Sequence, residues 1–179
     1  EGLMMAAMDQ YHTLWEGDMK GGLPLLINVM NNQYAMGTAI TRSTSETHLH
    51  KRGVSFNIPG EEVDGMDVEA VHAAGQKAVA WCREGNGPYI LEMKTYRYRG
   101  HSMSDPGKYR SKEEVEKFKV ESDPIERLKA QLVAMGVKED EFKSVEQSVK
   151  QIVNESADFA TQSPEPDVSE LWTDILIEE

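Results

Sequence analysis

The feature that most restricts the fold of this chain is a near-continuous apolar run at residues 23–30, which ends abruptly in polar residues 31–34. Such a run is typical of a strand covered on both faces, as in a parallel sheet. A second apolar run occupies residues 88–96. Between them lies a helical pattern, with Asp67 as the expected N-cap and Cys82 on the apolar face. This order of strand, helix and strand predicts a right-handed crossover in a parallel α/β sheet flanked by helices.

The C-terminal part of the chain has a different character, and we predict two regions: an α/β domain at residues 1–110 and an acidic helical extension with a short tail at residues 111–179. Ser111 and Glu114 are spaced as a capping box at the start of one helix. Apolar residues recur at helical spacing over residues 139–161, which predicts another helix.

Three further segments are assigned by pattern. Apolar residues at helical spacing from Leu3 to Trp15 predict an opening helix that runs to about Glu16. Residues 35–60 are rich in Gly, Thr and Ser, which predicts a long loop. Residues 62–65 predict a short strand and turn.

The 179 residues include 31 acidic and 19 basic side chains, and the formal net charge of −12 is unevenly distributed. Residues 1–110 hold 13 acidic and 11 basic side chains, whereas residues 111–179 hold 18 and 8. This balance disfavours nucleic acid and anionic membranes as partners, because both bind clustered positive charge. No apolar run approaches the ~20 residues that cross a bilayer. The single cysteine, Cys82, excludes an internal disulfide and a cysteine-based zinc site, and we expect an inert buried thiol.

Polar residues follow the first predicted strand at the edge of the sheet where ligands bind in parallel α/β folds. Asn32 offers a side-chain carbonyl there and Tyr34 a backbone carbonyl. Neutral oxygens of this kind suit a hard cation such as Mg²⁺ or Ca²⁺. The alternative, which spacing alone favours, is that the asparagine ends the strand and hydrogen-bonds a turn.

The second polar segment, residues 94–110, reverses the acidic balance of the chain: it holds five Lys and Arg side chains and one acid, Asp105. Arginine binds phosphate through bidentate hydrogen bonds. His101 can donate to a phosphate or transfer a proton near neutral pH. These residues predict an anion site, and the alternative is a solvated basic loop that balances acidic helices.

Two other charged segments have simpler interpretations. Asp64 and Asp67 are paired acids that a turn and a helix N-cap explain. A basic stretch at residues 48–52 contains His48 and His50. It could bind an anion or dock a partner, but a solvated loop is the favoured interpretation.

Several motifs in order give the chain a resemblance to one enzyme family. They are Asn31-Asn32-Gln33-Tyr34-Ala35-Met36-Gly37-Thr38, Lys51-Arg52-Gly53, Val63-Asp64-Gly65-Met66-Asp67 and Thr95-Tyr96-Arg97-Tyr98-Arg99-Gly100-His101-Ser102-Met103-Ser104-Asp105-Pro106. The chain resembles the C-terminal half of the α subunits of thiamine-diphosphate-dependent 2-oxo acid dehydrogenase E1 components. The His-Ser-Met-Ser-Asp-Pro motif favours the pyruvate members over the acetoin and branched-chain members, which share the architecture.

The resemblance implies roles for four residues in holding thiamine diphosphate and Mg²⁺. Asn32 ligates Mg²⁺ through its side chain and Tyr34 through its backbone carbonyl. Arg97 and His101 contact the diphosphate from a loop that orders over the cofactor, and His101 is the expected catalytic residue. Ser102 matches a serine that is phosphorylated in mitochondrial members, where the added charge would repel the diphosphate.

The resemblance also implies partners. An E1 β subunit supplies the carboxylate that activates the cofactor in an α2β2 heterotetramer, a 2-oxo acid is the substrate, and a lipoyl-bearing E2 accepts the acetyl group. The location is the bacterial cytoplasm, which we favour, or the mitochondrial matrix. The Gly-Asp-Gly half of the metal motif is expected upstream of Glu1, and residues 9–22 predict an insertion relative to the family. The alternative interpretation is that this chain, when isolated, is a non-catalytic fragment or an assembly module.

Overall fold

A computed structural model of the chain describes residues 22–173. The predicted opening helix and nearly all of the predicted insertion lie outside the described residues. The elements in chain order are β1 (Leu26–Asn31), β2 (Tyr34–Ala35), β3 (Thr38–Ala39), α1 (Ile40–Ser43), a 3₁₀ segment (Leu49–Phe56), β4 (Gly60–Asp64), α2 (Val68–Arg83), β5 (Tyr89–Lys94), α3 (Lys112–Glu121), α4 (Pro124–Ala134), α5 (Glu139–Gln162) and a second 3₁₀ segment (Val168–Leu171). The predicted class, α/β followed by a helical region, is confirmed.

The main sheet has three strands in the order β1-β5-β4, and both pairings are parallel. In the pairing register, Lys94 lies opposite both Asn31 and Asp64. The three strands therefore end at one edge of the sheet, as the sequence predicted. The two strands of the predicted crossover, β1 and β5, are parallel neighbours with α2 between them in the chain, and the structure adds the short parallel strand β4 immediately before α2. Strands β2 and β3 pair in a small antiparallel hairpin.

Within the described residues, the prediction that the first strand is covered on both faces is wrong. The strand begins at Leu26, Asn28 is exposed, and the side chain of Met30 is 72% exposed. β1 lies at the edge of this sheet in the described part of the chain, so alternate side chains point to a face that no described element covers. The central strand β5 is the buried one, with no more than 5% exposure from Tyr89 to Glu92.

Helix α2 covers one face of the sheet. Its buried residues Ala78 and Cys82 pack with Tyr89 of β5. The predicted burial of Cys82 is confirmed at 5% exposure, and burial raises the pKa of its thiol. The predicted N-cap is also confirmed, because Oδ1 of Asp67 accepts hydrogen bonds from the backbone N–H groups of Glu69 (3.1 Å) and Ala70 (3.0 Å).

The prediction that residues 35–60 form one long loop is wrong, since this stretch contains the small hairpin, α1 and the first 3₁₀ segment. Gly53 in that segment is buried, and a Cβ atom there would lie 2.6 Å from Cδ1 of Ile90 and 2.7 Å from the carbonyl oxygen of Ile58. The 3₁₀ segment therefore lies directly on β5. Elements this short are fixed by packing, which leaves no periodic signal in the sequence.

Among the described residues, 22–131 belong to one compact unit and 132–173 to a second. The predicted division between residues 110 and 111 stays a prediction. In the first unit, Ser111 caps α3 as expected, because its hydroxyl accepts a hydrogen bond from the backbone N–H of Glu114 at 3.0 Å.

The second unit contains the long helix α5, whose predicted extent of residues 139–161 is confirmed within one residue. In the described part of the chain, much of its apolar side remains more than half exposed, at Val145, Val149, Ile152, Val153 and Phe159. None of the described helices combines the length and the apolar character needed to cross a membrane.

Candidate functional site

The site is built on the turn that follows β1, where two neighbouring asparagines make different hydrogen bonds. Asn31 is buried and donates from Nδ2 to Oε1 of Glu92 at 2.7 Å. Oδ1 of Asn32 accepts a hydrogen bond from the backbone N–H of Tyr34 at 3.2 Å, so the turn interpretation made from spacing is observed. A carbonyl oxygen has two lone pairs, and this single contact leaves acceptor capacity on Asn32. Gln33, between Asn32 and Tyr34, has a left-handed φ of 72°.

One small pocket brings together all four residues that the sequence predicted for the cofactor site. Its lining residues are Asn32, Tyr34, Met36, Arg97, Arg99, His101, Tyr109 and Arg110. This described lining contains three arginines, one histidine and no carboxylate, in a chain with a net charge of −12. Such a donor set is suited to a polyanion, because guanidinium groups bind phosphate oxygens through paired hydrogen bonds. The individual roles of the four residues stay predictions.

Arg110 fixes the base of the loop at residues 97–109, which we call the cationic loop. Its guanidinium donates hydrogen bonds to the backbone carbonyls of Arg97 and, at 2.9 Å, of Tyr98. Its Cζ atom also lies near three ring centroids, at 5.2 Å from Tyr96 and at 5.7 Å from each of Tyr34 and Tyr109. Cation–π contacts of this kind add to the hydrogen bonds and hold the loop against the sheet edge.

Asp105 shapes the middle of the cationic loop. Its Oδ2 accepts hydrogen bonds from the backbone N–H of His101 (2.7 Å) and from the hydroxyl of Tyr109 (2.8 Å), while Oδ1 accepts from the N–H of Gly107 (2.8 Å). These bonds, that of His101 first, hold the pKa of the Asp105 carboxyl below its usual value. The aspartate therefore stays ionised near neutral pH and keeps the turn around His101 closed. Ser102 is exposed on the same turn.

In this closed arrangement the cavity has a volume of only about 20 Å³. That is space for about one water molecule. The donor set therefore fits a diphosphate and Mg²⁺, whereas the cavity as it stands is too small to hold them. Arg110 and Asp105 are two of the residues that hold the cationic loop in this position.

Tyr34, which lines the pocket, is held in place by Glu114 on α3. One oxygen, Oε1, accepts hydrogen bonds from the hydroxyl of Tyr34 (2.9 Å) and from the hydroxyl of Tyr96 (2.8 Å). Burial and the Glu114 contact raise the pKa of Tyr96 to about 12, and the same causes raise the pKa of Tyr34. Both hydroxyls therefore remain protonated donors at neutral pH. The Tyr96 ring stacks on Phe118 with centroids 4.0 Å apart.

Sequence reasoning missed the polar cluster formed by Asn31, His50 and Glu92. Glu92 is fully buried in the centre of β5, and its Oε2 lies 2.8 Å from both the backbone nitrogen and Nδ1 of His50. Burial alone would raise the pKa of Glu92, but hydrogen bonds from the His50 backbone and Asn31 hold it below its usual value. The sequence does contain one indication, since Glu92 is a charged residue inside an apolar strand, and a buried charge needs a polar partner.

Comparison with known proteins places this architecture and pocket in a family. The chain belongs to the dehydrogenase E1 component family, which it matches over residues 11–169. It is 60% identical over 156 residues to the pyruvate dehydrogenase E1 component subunit alpha of Rhizobium meliloti, a match that covers 87% of this chain and 45% of the relative. It is 52% identical over 155 residues to the same subunit of Zymomonas mobilis, covering 87% and 44%.

A eukaryotic relative is also similar. The chain is 46% identical over 151 residues to the testis-specific mitochondrial form of the pyruvate dehydrogenase E1 component subunit alpha of Rattus norvegicus, a match that covers 83% of this chain and 38% of the relative. The chain thus spans less than half the length of these curated relatives. The resemblance to the E1 α subunits of pyruvate dehydrogenase made from the motifs is confirmed.

Proposed function

We propose that this chain is the part of a pyruvate dehydrogenase E1 α subunit that anchors the diphosphate of thiamine diphosphate through Mg²⁺. The observation that carries the proposal is the pocket shared by Asn32, Tyr34, Arg97 and His101 at the carboxyl edge of the parallel sheet. Family membership and the pyruvate dehydrogenase names of the relatives support it. The whole enzyme would carry out oxidative decarboxylation of pyruvate and pass the acetyl group to a lipoyl-bearing E2.

Each residue of the pocket has a defined task in this proposal. Asn32 offers its side-chain oxygen and Tyr34 its backbone carbonyl to Mg²⁺, a cation that prefers oxygen ligands. Arg97 donates to the diphosphate oxygens, and His101 donates to them or moves a proton at its imidazole nitrogen. Thiamine diphosphate, when bound, supplies the carbanion chemistry of decarboxylation. The cationic loop then closes over the diphosphate and excludes water.

The same proposal extends to partners and location. We propose an E1 β subunit that contributes the activating carboxylate, an α2β2 assembly, and a 2-oxo acid as substrate. Two relatives quoted above are bacterial, which favours the bacterial cytoplasm over the mitochondrial matrix. A phosphate on the exposed Ser102 would place two negative charges beside the diphosphate and weaken its binding.

The decisive experiment substitutes Asn32→Ala and His101→Ala separately in the complete α/β enzyme. We expect Asn32→Ala to weaken Mg²⁺-dependent cofactor binding by about 10- to 100-fold, as loss of metal-site groups commonly does. We expect His101→Ala to lower the turnover of pyruvate. Asn28→Ala is the matched control, because Asn28 is an exposed amide on the same strand. Full activity and unchanged cofactor affinity in both site variants would show that the assignment is wrong.

Two alternatives remain and are separable. Steady-state assays of the complete enzyme with pyruvate, acetoin and branched-chain 2-oxo acids distinguish the E1 classes that share the architecture. Calorimetric titration of the 179-residue chain with Mg²⁺ and thiamine diphosphate distinguishes a cofactor-binding chain from an assembly module. Tight one-to-one binding by the chain alone would count against the assembly module.

A further inference from the structure

A mixed cluster of histidines and carboxylates lies where the first 3₁₀ segment meets β4 and β5, apart from the pocket described above. His50, Glu62 and Glu92 each place one donor atom so that all three lie within 4.8 Å of one another. His48 adds a fourth group, with its Nδ1 2.8 Å from Oε2 of Glu62. These four residues, which we call the histidine–glutamate cluster, come from three separate elements or their immediate flanks.

The cluster places two carboxylates next to two imidazoles. Glu92 is fully buried, and the groups that contact its carboxylate are the amide of Asn31 and the backbone and ring of His50. A buried carboxylate is costly unless a positive charge or a metal compensates it. Glu62 carries a second carboxylate, and its Oε1 lies 3.5 Å from Nζ of Lys94.

The donor types indicate which cation would bind. Two imidazoles and two carboxylates suit a divalent transition metal, whereas Mg²⁺ and Ca²⁺ favour oxygen donors alone. Zn²⁺ binds nitrogen and carboxylate oxygen at about 2.0–2.2 Å in tetrahedral sites, which separates neighbouring donors by roughly 3.3 Å. The Nδ1 of His50 and Oε2 of Glu92 are 2.8 Å apart, as are Nδ1 of His48 and Oε2 of Glu62, so each of these pairs must separate slightly to bind the ion. The donors of His50, Glu62 and Glu92 lie within 4.8 Å of one another, so the more distant donors must move inward.

We propose that His48, His50, Glu62 and Glu92 form a structural Zn²⁺ site that fastens the first 3₁₀ segment to β4 and β5. The accessibility of the cluster permits entry of the ion, since the side chains of His48, Glu62 and His50 are 43%, 26% and 18% exposed. Glu92 forms the buried floor. The ion would take the place of the hydrogen bonds that now join each histidine to its glutamate.

The test uses the complete protein, purified without a polyhistidine tag and stripped with a chelator. It is titrated with Zn²⁺ by calorimetry, and with Co²⁺ followed by its visible absorption, in the presence of excess Mg²⁺ and thiamine diphosphate. We expect one Zn²⁺ per chain, an intense Co²⁺ spectrum typical of tetrahedral coordination, and a higher melting temperature with Zn²⁺ bound.

Two variants decide the assignment. His48→Gln with His50→Gln, and Glu62→Gln alone, should each weaken Zn²⁺ binding by at least about tenfold. Glu62→Gln preserves the shape of a side chain that is 26% exposed, so it reports on binding if the double variant does not fold. His72→Gln, at an exposed histidine of α2, is the control and should bind as the wild type does. No stoichiometric Zn²⁺ binding, or binding unaffected by Glu62→Gln, would overturn the proposal and leave a hydrogen-bond network.

Discussion

The space around two glycines, Gly53 and Gly75, predicts opposite effects of substitution by alanine on the stability of the protein. Gly53 has no room for a methyl group beside Ile90 and Ile58, so Gly53→Ala should destabilise the protein by about 1–3 kcal/mol. A Cβ atom at Gly75, on α2, would meet nothing within 4 Å, so Gly75→Ala should stabilise the protein by up to about 1 kcal/mol. Urea denaturation of both variants measures the difference. Equal effects of the two substitutions would contradict the close contact on β5.

The contacts of Arg110 predict that its guanidinium holds the cationic loop in place. Arg110→Lys keeps the positive charge but loses the planar fork that reaches two backbone carbonyls. We expect faster hydrogen exchange across residues 97–109 and faster tryptic cleavage after Arg97 and Arg99. Arg83→Lys, at the exposed end of α2, is the matched control and should leave the loop unchanged. Wild-type protection in Arg110→Lys would mean that other contacts hold the loop.

Single residues also show what the sequence could reveal about the site. Asn32 and His101 were predicted to lie at one edge because both follow strands, and parallel strands end together. The contact between His50 and Glu92 was not predictable in the same way. It depends on how the stretch at residues 49–56 lies on β5, and that placement arises from tertiary packing without a helical or strand period.

At the level of elements, Asp67 joins two helices. Its Oδ1 caps α2, while Oδ2 lies 2.7 Å from Nη2 of Arg127 on α4, whose Nη1 also contacts Asp64 at 2.9 Å. The N–H of Ala70 first, then Arg127, hold the pKa of the Asp67 carboxyl below its usual value. The folded-state pKa is therefore lower than the unfolded one, so the stabilisation is present above the unfolded pKa and is lost as pH falls through the folded pKa.

Asp67→Asn tests this dependence, because it keeps an oxygen for the cap but removes the charge. We expect the variant to be less stable than the wild type at pH 7, and the difference to shrink below about pH 4. Urea denaturation at a series of pH values measures it. Asp158→Asn, at an exposed position of α5, should show no comparable trend. A difference that stays constant down to pH 3 would argue against an ionised carboxylate in the folded contact.

The sequence predicted the bounds of long elements better than those of short ones. The helix α5 and the central strand β5 were predicted within about two residues, because each has a long and regular apolar pattern. The start of β1 was misplaced, since an apolar run does not reveal which of its residues pair with the neighbouring strand. The elements between residues 35 and 60 were missed because each is too short to show a period.

For the whole molecule, burial differs strongly between its parts. β5 is enclosed between neighbouring strands, whereas much of the apolar side of α5 is exposed in the described part of the chain. Local opening is easiest where few apolar contacts must be broken. Hydrogen exchange followed by mass spectrometry should therefore find the slowest amides in β5 and faster exchange along α5. Protection of α5 equal to that of β5 in the complete protein would reveal a partner covering that helix.

The shared oxygen of Glu114 has a mechanical consequence for the pocket. One atom of helix α3 accepts hydrogen bonds from the hairpin strand β2 and from the segment after β5, so it braces these three parts of the chain together. Loss of that oxygen would therefore release all three at once.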